Sequence, residues 1–271
     1  NRRNLARLAV ADEEHPVGGQ LMGSNPDDFP PAARRLVAEG YDVIDINFGC
    51  PVKKVLGRCR GGFLLSQPAT ALDIVARVRD AVPPHVPVTL KMRRGLDDTA
   101  VSCDNFWTIF DGAFARGAAA ITVHGRTVQQ KYVGPSDWEF LAEVKRHAGE
   151  RTVIGSGDLF SAAACVAMLE RTGVDGVSVA RGAIGNPWIF RQARDQSLNA
   201  TLVSGDAMVT QEFWSIAGKA GEGTLMTFDA DPRKNPIAAP LVAKFKAQGY
   251  DPEGYTIYTY AAIQTYAQAV A

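Results

Sequence analysis

The side chain best suited to catalysis is that of Cys50, which lies in the motif Asn-Phe-Gly-Cys-Pro at residues 47–51. The motif follows an apolar run at 43–47 that is typical of a buried strand. Gly49 permits a tight backbone, and Pro51 ends the strand and stiffens the loop. A thiol held there can act as a nucleophile or as a general acid. The alternative is a buried, unreactive cysteine, which is the more common fate of a single cysteine.

Four basic residues follow this motif within ten positions, namely Lys53, Lys54, Arg58 and Arg60. A solvated basic loop is the simpler interpretation of such a run. Beside a thiol at the mouth of a site, however, the same charges could contact a polyanionic substrate. The sequence leaves both interpretations open.

Lys91 ends the next apolar run, 86–92, and Arg93 follows it closely. A lysine that points inward from a buried strand needs an anionic partner. The N1–C2=O edge of a reduced flavin carries negative charge, and a nearby cation stabilises it. The alternative is a lysine whose ammonium group reaches solvent along the protein surface. The burial expected for the preceding residues favours the functional interpretation.

His124 ends the apolar run at 119–124, and Arg126 comes two residues later. A single histidine is more often structural than catalytic. This one would share a rim with Lys91 and Cys50, which favours a role in the same site.

Two loops rich in small residues, 155–158 and 180–182, close the last two apolar runs. Small residues let backbone N–H groups approach a phosphate, and the helix that follows adds a positive dipole. In an α/β barrel the phosphate site lies after the last two strands. The alternative is a pair of left-handed turns with no ligand.

The elements that must position these residues alternate regularly between strands and helices. The short apolar runs are 18–22, 43–47, 86–92, 119–124, 152–155 and 176–180. The amphipathic segments between them are 29–39, 69–82, 105–116, 138–148 and 161–171. Near-continuous apolar runs are typical of strands buried on both faces of a parallel sheet. The alternation therefore predicts βαβ units.

Chemically useful residues stand at nearly every predicted strand end. A doubly wound sheet would concentrate them at one switch point, whereas a barrel spreads them around its rim. A complete barrel needs about eight strands, and six are visible in the pattern. We therefore predict the α/β class, as a flavin-type (β/α)₈ TIM barrel that apparently lacks its first two strands.

The composition is that of an ordinary globular protein. It includes 29 Lys and Arg against 29 Asp and Glu, so a nucleic-acid partner would need a local basic patch rather than a global field. No apolar run approaches the roughly 18 residues of a membrane helix, and the first residues do not look like a signal peptide. The spacings of the four cysteines fit no zinc site, which predicts free thiols, no metal and a cytoplasmic location.

Taken together, the motifs resemble the dihydrouridine synthase family, and its bacterial type B branch in particular. The matching stretches are 20–23, 45–55, 88–93, 122–127, 155–158 and 180–188. Two positions depart from the family pattern, because Ser156 stands where Asn is usual and Ala180 stands where Gly is frequent. The family's opening strand with its Ala-Pro-Met motif, its second strand and its C-terminal helical domain find no match here.

The resemblance implies FMN in the barrel mouth, NADPH as reductant and tRNA as substrate. It implies that the flavin gives hydride to C6 of a uridine and that Cys50 donates the proton to C5, while Asn47 places the uracil. The residues implied in cofactor binding are Gln20, Lys91, His124, Ser156, Gly157, Asp158, Ala180 and Arg181. The residues expected to bind substrate are Lys53, Lys54, Arg93 and Arg126.

The barrel pattern ends near residue 194, so we divide the chain into a partial barrel, 1–194, and an α/β segment, 195–271. Stretches 205–214, 221–228 and 254–262 of the second segment resemble the C-terminal part of periplasmic branched-chain amino-acid binding proteins. Two alternatives to the flavin enzyme follow from this resemblance. One is a binding module for branched-chain amino acids, and the other is an inactive chimera or truncation.

Overall fold

The computed structural model describes residues 10, 15–183, 186, 189, 192, 201–204, 225–227, 232–252, 256–257 and 260–261, with only the backbone described for 201–204, 225–227 and 232. Within them, eight parallel strands form a closed barrel in chain order. The strands are β1 Val17–Leu21, β2 Val43–Phe48, β3 Val88–Arg93, β4 Ala120–His124, β5 Thr152–Ser156, β6 Gly176–Ser178, β7 Thr201–Ser204 and β8 Leu225–Thr227. The predicted α/β barrel class is therefore confirmed. The expected absence of its first two strands is wrong, because the run 18–22 is β1 of a closed ring. The loops 155–158 and 180–182 accordingly follow β5 and β6 rather than the last two strands.

Helices lie between the strands, as the amphipathic pattern predicts. They are α1 Phe29–Ala38, α2 Lys53–Leu56, α3 Pro68–Ala81, α4 Ala100–Ala115, α5 Trp138–Ala148 and α6 Ala162–Thr172, and α7 Ala239–Ala247 follows the barrel. Short 3-10 helices span Pro26–Asp28, Gly61–Ser66, Arg181–Ala183 and Pro232–Lys234. Side-chain oxygens of Thr99, Asp137 and Ser161 accept backbone N–H groups at the starts of α4, α5 and α6. These caps fix where each helix leaves the loop at the barrel rim.

The barrel is closed by two strands that the sequence pattern did not reveal as part of it. β7 pairs with β6, β8 pairs with β7, and β8 returns to β1, where Val17 is in register with Met226. The prediction of six strands is thus short by two, because strands of four and three residues are too short to carry a periodic signal. β7 and β8 satisfy the backbone groups that an open ring would expose on β1 and β6.

The predicted boundary at residue 194 falls between β6 and β7, inside the closed ring. The division into two units stays a prediction. In the second segment, the structure describes the helix α7. Residues 256–257 and 260–261 are also helical, and most of the rest of this segment lies outside the described residues.

The core lies between the sheet and the surrounding helices. Ile44, Leu90 and Val123 of the strands are fully buried. On the helix side, Phe106 and Phe110 of α4 are fully buried with their rings 5.7 Å apart. Full burial of such a side chain stabilises the fold by about 1.5–3 kcal/mol. No helix in the described part of the chain is long and apolar enough to cross a membrane.

Candidate active site

A cavity of about 240 Å³ opens where β2 to β6 end. Ten of the fourteen residues predicted for the site line it: Asn47, Cys50, Lys91, Arg93, His124, Ser156, Gly157, Asp158, Ala180 and Arg181. The cavity therefore gathers the catalytic residues and most of the cofactor-binding residues that the sequence suggested. Gln20, Lys53, Lys54 and Arg126 are outside its lining.

The Cys50 loop is held by the side chain of Asn47. Its Oδ1 accepts hydrogen bonds from the backbone N–H groups of Gly49 and Cys50, each at 3.0 Å, and its Nδ2 donates to Gln20 Oε1 at 2.9 Å. The carbonyl of Cys50 accepts from Gly62 N–H at 3.0 Å. With its backbone fixed on both sides, the half-buried free thiol of Cys50 contributes to the cavity wall.

Lys91 places a cation in the cavity. Its Nζ donates to Ser178 Oγ at 3.2 Å. Burial lowers the pKa of Lys91 from 10.5 to about 8, while the nearby carboxylate of Asp45 opposes that change. At neutral pH the amine is therefore mostly protonated, and it provides positive charge where the sequence predicted contact with a flavin.

His124 is a neutral hydrogen-bond donor in the same cavity. Burial, together with the positive charges of Arg93 and Lys91, lowers its pKa from 6.5 to about 3. Its Nδ1 accepts the backbone N–H of Arg126 at 3.1 Å. A neutral imidazole that accepts through Nδ1 carries its proton on Nε2. His124 thus offers one N–H donor and no charge.

Arg93 lines the cavity but uses its guanidinium to join two loops. Nε donates to the carbonyl of Gly49 at 2.9 Å, and Nη1 donates to the carbonyls of Thr127 and Lys131 at 2.9 and 2.8 Å. The residue is only 4% exposed. Its main observed role is to fasten the Cys50 loop to the loop after β4, and its predicted contact with substrate stays a prediction.

Arg126 lies behind the cavity lining and is only 3% exposed. Its Nη2 donates to both carboxylate oxygens of Asp158 at 2.7 and 2.8 Å, and its Nε donates to the carbonyl of Gly134 at 2.8 Å. Burial alone would raise the pKa of Asp158, but the Ser136 N–H and Arg126 lower it overall. This placement favours a structural ion pair over the predicted substrate contact of Arg126.

Gly157 and Gly182, in the two glycine-containing loops, pack against neighbouring residues so closely that a Cβ would not fit. At Gly157, where φ is +120°, a Cβ would lie 2.7 Å from Ser136 Cβ. At Gly182 a Cβ would collide with the carbonyl of Leu159. Ser156 Oγ donates to the carbonyl of Ser178 at 3.2 Å and so ties the first loop to β6. Both loops line the cavity with small residues, which suits a phosphate group.

The remaining predicted residues surround the mouth. Lys53 and Lys54 are exposed on α2, directly after the Cys50 loop. Gln20 is exposed at the end of β1 and contacts the site through Asn47. In the described part of the chain, no group of three or more His, Cys, Asp or Glu side chains could hold a metal ion.

Two aromatic residues of the rim, Tyr132 and Phe160, are not among the site residues predicted from the sequence. The guanidinium carbons of Arg181 and Arg93 lie 4.2 and 5.6 Å from the ring centre of Tyr132. That of Arg181 also lies 5.5 Å from the ring centre of Phe160. Both aromatic residues follow predicted barrel strands, so their position in the sequence already indicated that they lie in loops at the barrel rim.

Comparison with known proteins supplies a family. A family model described as dihydrouridine synthase matches residues 1–227. "Probable tRNA-dihydrouridine synthase 1" of Synechocystis sp. is 42% identical over 188 residues, which are 69% of this chain and 51% of that protein. tRNA-dihydrouridine synthase B of Xanthomonas campestris is 41% identical over 193 residues, which are 70% and 55% of the two chains. The chain thus spans about half the length of the curated relatives it matches.

Solved structures of low sequence identity share the fold alone. A mandelate racemase/muconate lactonizing family protein from Azoarcus sp. aligns with a TM-score of 0.55 at 14% identity, covering 81% of this chain and 55% of that one. A racemase from Streptomyces coelicolor aligns with a TM-score of 0.52 at 16% identity, covering 78% and 55%. The resemblance of residues 195–271 to periplasmic binding proteins is not among these findings and stays a prediction.

Proposed function

Because the chain belongs to the dihydrouridine synthase family, we propose that it reduces uridine in tRNA to 5,6-dihydrouridine. The observation that carries the proposal is the convergence of Cys50, Lys91 and His124 with two glycine-containing loops on one cavity. A thiol acid, a cation, a neutral donor and a phosphate cradle are the groups this reaction requires. The predicted cytoplasmic location would fit such a substrate.

The donor set of the cavity suits FMN. Lys91 would stabilise negative charge at the N1–C2=O edge of the isoalloxazine, and His124 would donate through Nε2. Gln20 would contact the ring from the end of β1. When bound, FMN supplies the electrons that reduce the C5=C6 bond of uracil, and NADPH is the expected reductant.

Within the two loops, the phosphate of FMN would be held by Ser156, Gly157, Ala180 and Arg181. The placement of both loops in the cavity lining supports this assignment, since small residues let backbone N–H groups approach an anion. Asp158 would act indirectly in this cradle. Its carboxylate is engaged by Arg126 and Ser136, and so it would shape the loop rather than contact the anion.

Cys50 would donate a proton to C5 of the uracil. The two hydrogen bonds from its loop to Asn47 fix the backbone that carries the thiol. Asn47 has a second N–H, beyond the one donated to Gln20, with which it could place a pyrimidine carbonyl. A general acid of this kind contributes roughly 10²–10⁴-fold to a rate.

The tRNA backbone would meet Lys53 and Lys54, which are exposed beside the Cys50 loop. Arg93 would add positive charge inside the cavity. With a formal net charge of zero, the chain would depend on this local patch. Replacement of one phosphate-contacting lysine should weaken binding similarly for all tRNA sequences and reduce its dependence on salt.

Two measurements test the proposal. The purified protein, or protein incubated with FMN, should show flavin absorbance, and with NADPH it should form dihydrouridine in tRNA that lacks this base. Cys50→Ala should keep FMN and lose uridine reduction, whereas Cys59→Ala, which removes an exposed thiol, should keep both. A preparation that binds no FMN would refute the proposal, and full activity of Cys50→Ala would refute the role of Cys50.

A further inference from the structure

A carboxylate lies inside the barrel at Asp45, in the middle of β2 between two apolar residues. Its neighbours Ile44 and Ile46 are fully buried, and Asp45 itself is only 9% exposed. Burial raises the pKa of Asp45, although hydrogen bonds and the Lys91 cation oppose the rise. A buried charge is costly unless it is paired and hydrogen-bonded, and nothing in the proposed reaction has so far used this group.

Both oxygens of Asp45 accept hydrogen bonds from neighbouring strands. Oδ2 accepts from Gln20 Nε2 of β1 at 2.7 Å, and Oδ1 accepts from Thr89 Oγ1 of β3 at 2.7 Å. Oδ2 is thus the acceptor in the contact with Gln20. Gln20 must therefore present its N–H to Asp45 and its carbonyl oxygen to the other side.

From that carbonyl oxygen, a chain of hydrogen bonds leads to the Cys50 loop. Gln20 Oε1 accepts from Asn47 Nδ2 at 2.9 Å. This bond turns Asn47 Oδ1 toward the backbone N–H groups of Gly49 and Cys50, which it accepts at 3.0 Å each. Each amide in the chain has one productive orientation, and that orientation is set by the group before it.

We propose that Asp45 is a positioning residue that sets the direction of this hydrogen-bond chain and so holds the Cys50 loop over the cavity. The importance of this for catalysis rests on the proposed function, in which Cys50 is the acid. The chain of contacts itself is independent of that function and can be tested without substrate.

Replacement of the carboxylate by an amide is the sharpest test. In Asp45→Asn the new side chain can donate as well as accept, so Gln20 can turn over, and Asn47 must then turn with it. Asn47 Nδ2 would face two N–H donors, and both loop bonds would be lost. Amide exchange of Gly49 and Cys50 should accelerate about tenfold, as expected for the net loss of one or two hydrogen bonds.

Two internal comparisons distinguish loss of the Cys50 loop contacts from destabilisation of the whole fold. Exchange at Ile44 and Ile46 in the same strand should change little, and alkylation of Cys50 should accelerate by a similar factor relative to Cys59. Asp42→Asn is the matched control, because Asp42 is a half-exposed carboxylate that accepts from Val17 N–H and His15. It should alter neither Gly49 nor Cys50.

Unchanged exchange at Gly49 and Cys50 in folded Asp45→Asn would overturn the proposal, as would an increase shared equally by Ile44 and Ile46. If Asp45→Asn does not fold, Gln20→Leu decides, because Gln20 is exposed and links Asp45 to Asn47. The same faster exchange is then expected, and its absence overturns the proposal. Failure of the proposed function would appear elsewhere, as a wild-type protein that binds no FMN and forms no dihydrouridine in tRNA.

Discussion

Replacement of Lys91 by methionine tests the electrostatic character of the cavity. Burial lowers the pKa of Lys91 from 10.5 to about 8, Asp45 opposes this change, and Arg93 adds to it. Below pH 8 the folded protein carries an amine whose charge would be better solvated in the unfolded chain. The charge therefore weakens the fold at neutral pH.

The sign of the pH dependence follows from the two pKa values. As pH rises from about 8 to 10.5, the folded protein has released the proton while the unfolded chain still binds it, so the stability of the wild type should rise. Each pKa unit is worth about 1.4 kcal/mol, which makes the full effect about 3 kcal/mol. Lys91→Met lacks the amine and should lack this rise.

Urea denaturation of both proteins without added cofactor, at several pH values, measures the difference in their free energies of unfolding. The free energy of unfolding of the wild type should increase relative to that of Lys91→Met as the pH rises from about 8 to 10.5. Lys53→Met removes a solvent-exposed amine and gives the background effect of losing a lysine. A Lys91→Met difference that does not change with pH would refute the assignment of a buried, charge-penalised amine.

Three further predictions concern the walls of the site. Asp158→Asn should lower the free energy of unfolding by about 3 kcal/mol because it leaves the buried guanidinium of Arg126 without its carboxylate. This loss should shrink as the pH falls below the ordinary range of an aspartate, because the pKa of Asp158 is lowered by Ser136 N–H and Arg126 and its carboxylate is protonated only in stronger acid. The ring signals of His124 in NMR should stay constant between about pH 5 and 8, since its pKa is lowered to about 3, and a transition in that range would contradict its neutral state. Gly182→Ala should lower both Tm and FMN affinity because its Cβ would collide with the carbonyl of Leu159, and an unchanged affinity would exclude this loop from the phosphate site.

Most of the barrel could be predicted because its first six strands are almost continuously apolar and end in polar residues. The run 43–47 appears as β2, and Cys50 lies at the cavity as its motif indicated. Lys91 was also identifiable, since a lysine at the end of a buried strand is rare enough to require a reason. These features depend on local sequence, which is why a single sequence reveals them.

The features that were missed depend on partners far away in the chain. Asp45 has no meaning as a positioning residue until Gln20 and Thr89 are seen beside it. The pairing of Arg126 with Asp158 spans 32 residues and follows only from the packed loops. β7 and β8 are too short to be assigned to the barrel from the sequence, and only the closed ring shows where they belong.

The closure of the ring by β8 also has a consequence for how the protein is made. Val17 of β1 pairs with Met226 of β8, about 200 residues later in the chain. During synthesis, the edge of β1 therefore stays unpaired until almost the entire barrel, including β8, has emerged from the ribosome. Pairings of such long sequence separation form slowly, and an unpaired edge can template association with other chains. We expect a ribosome-bound chain that stops before residue 225 to be held by chaperones, and one that includes β8 to be released.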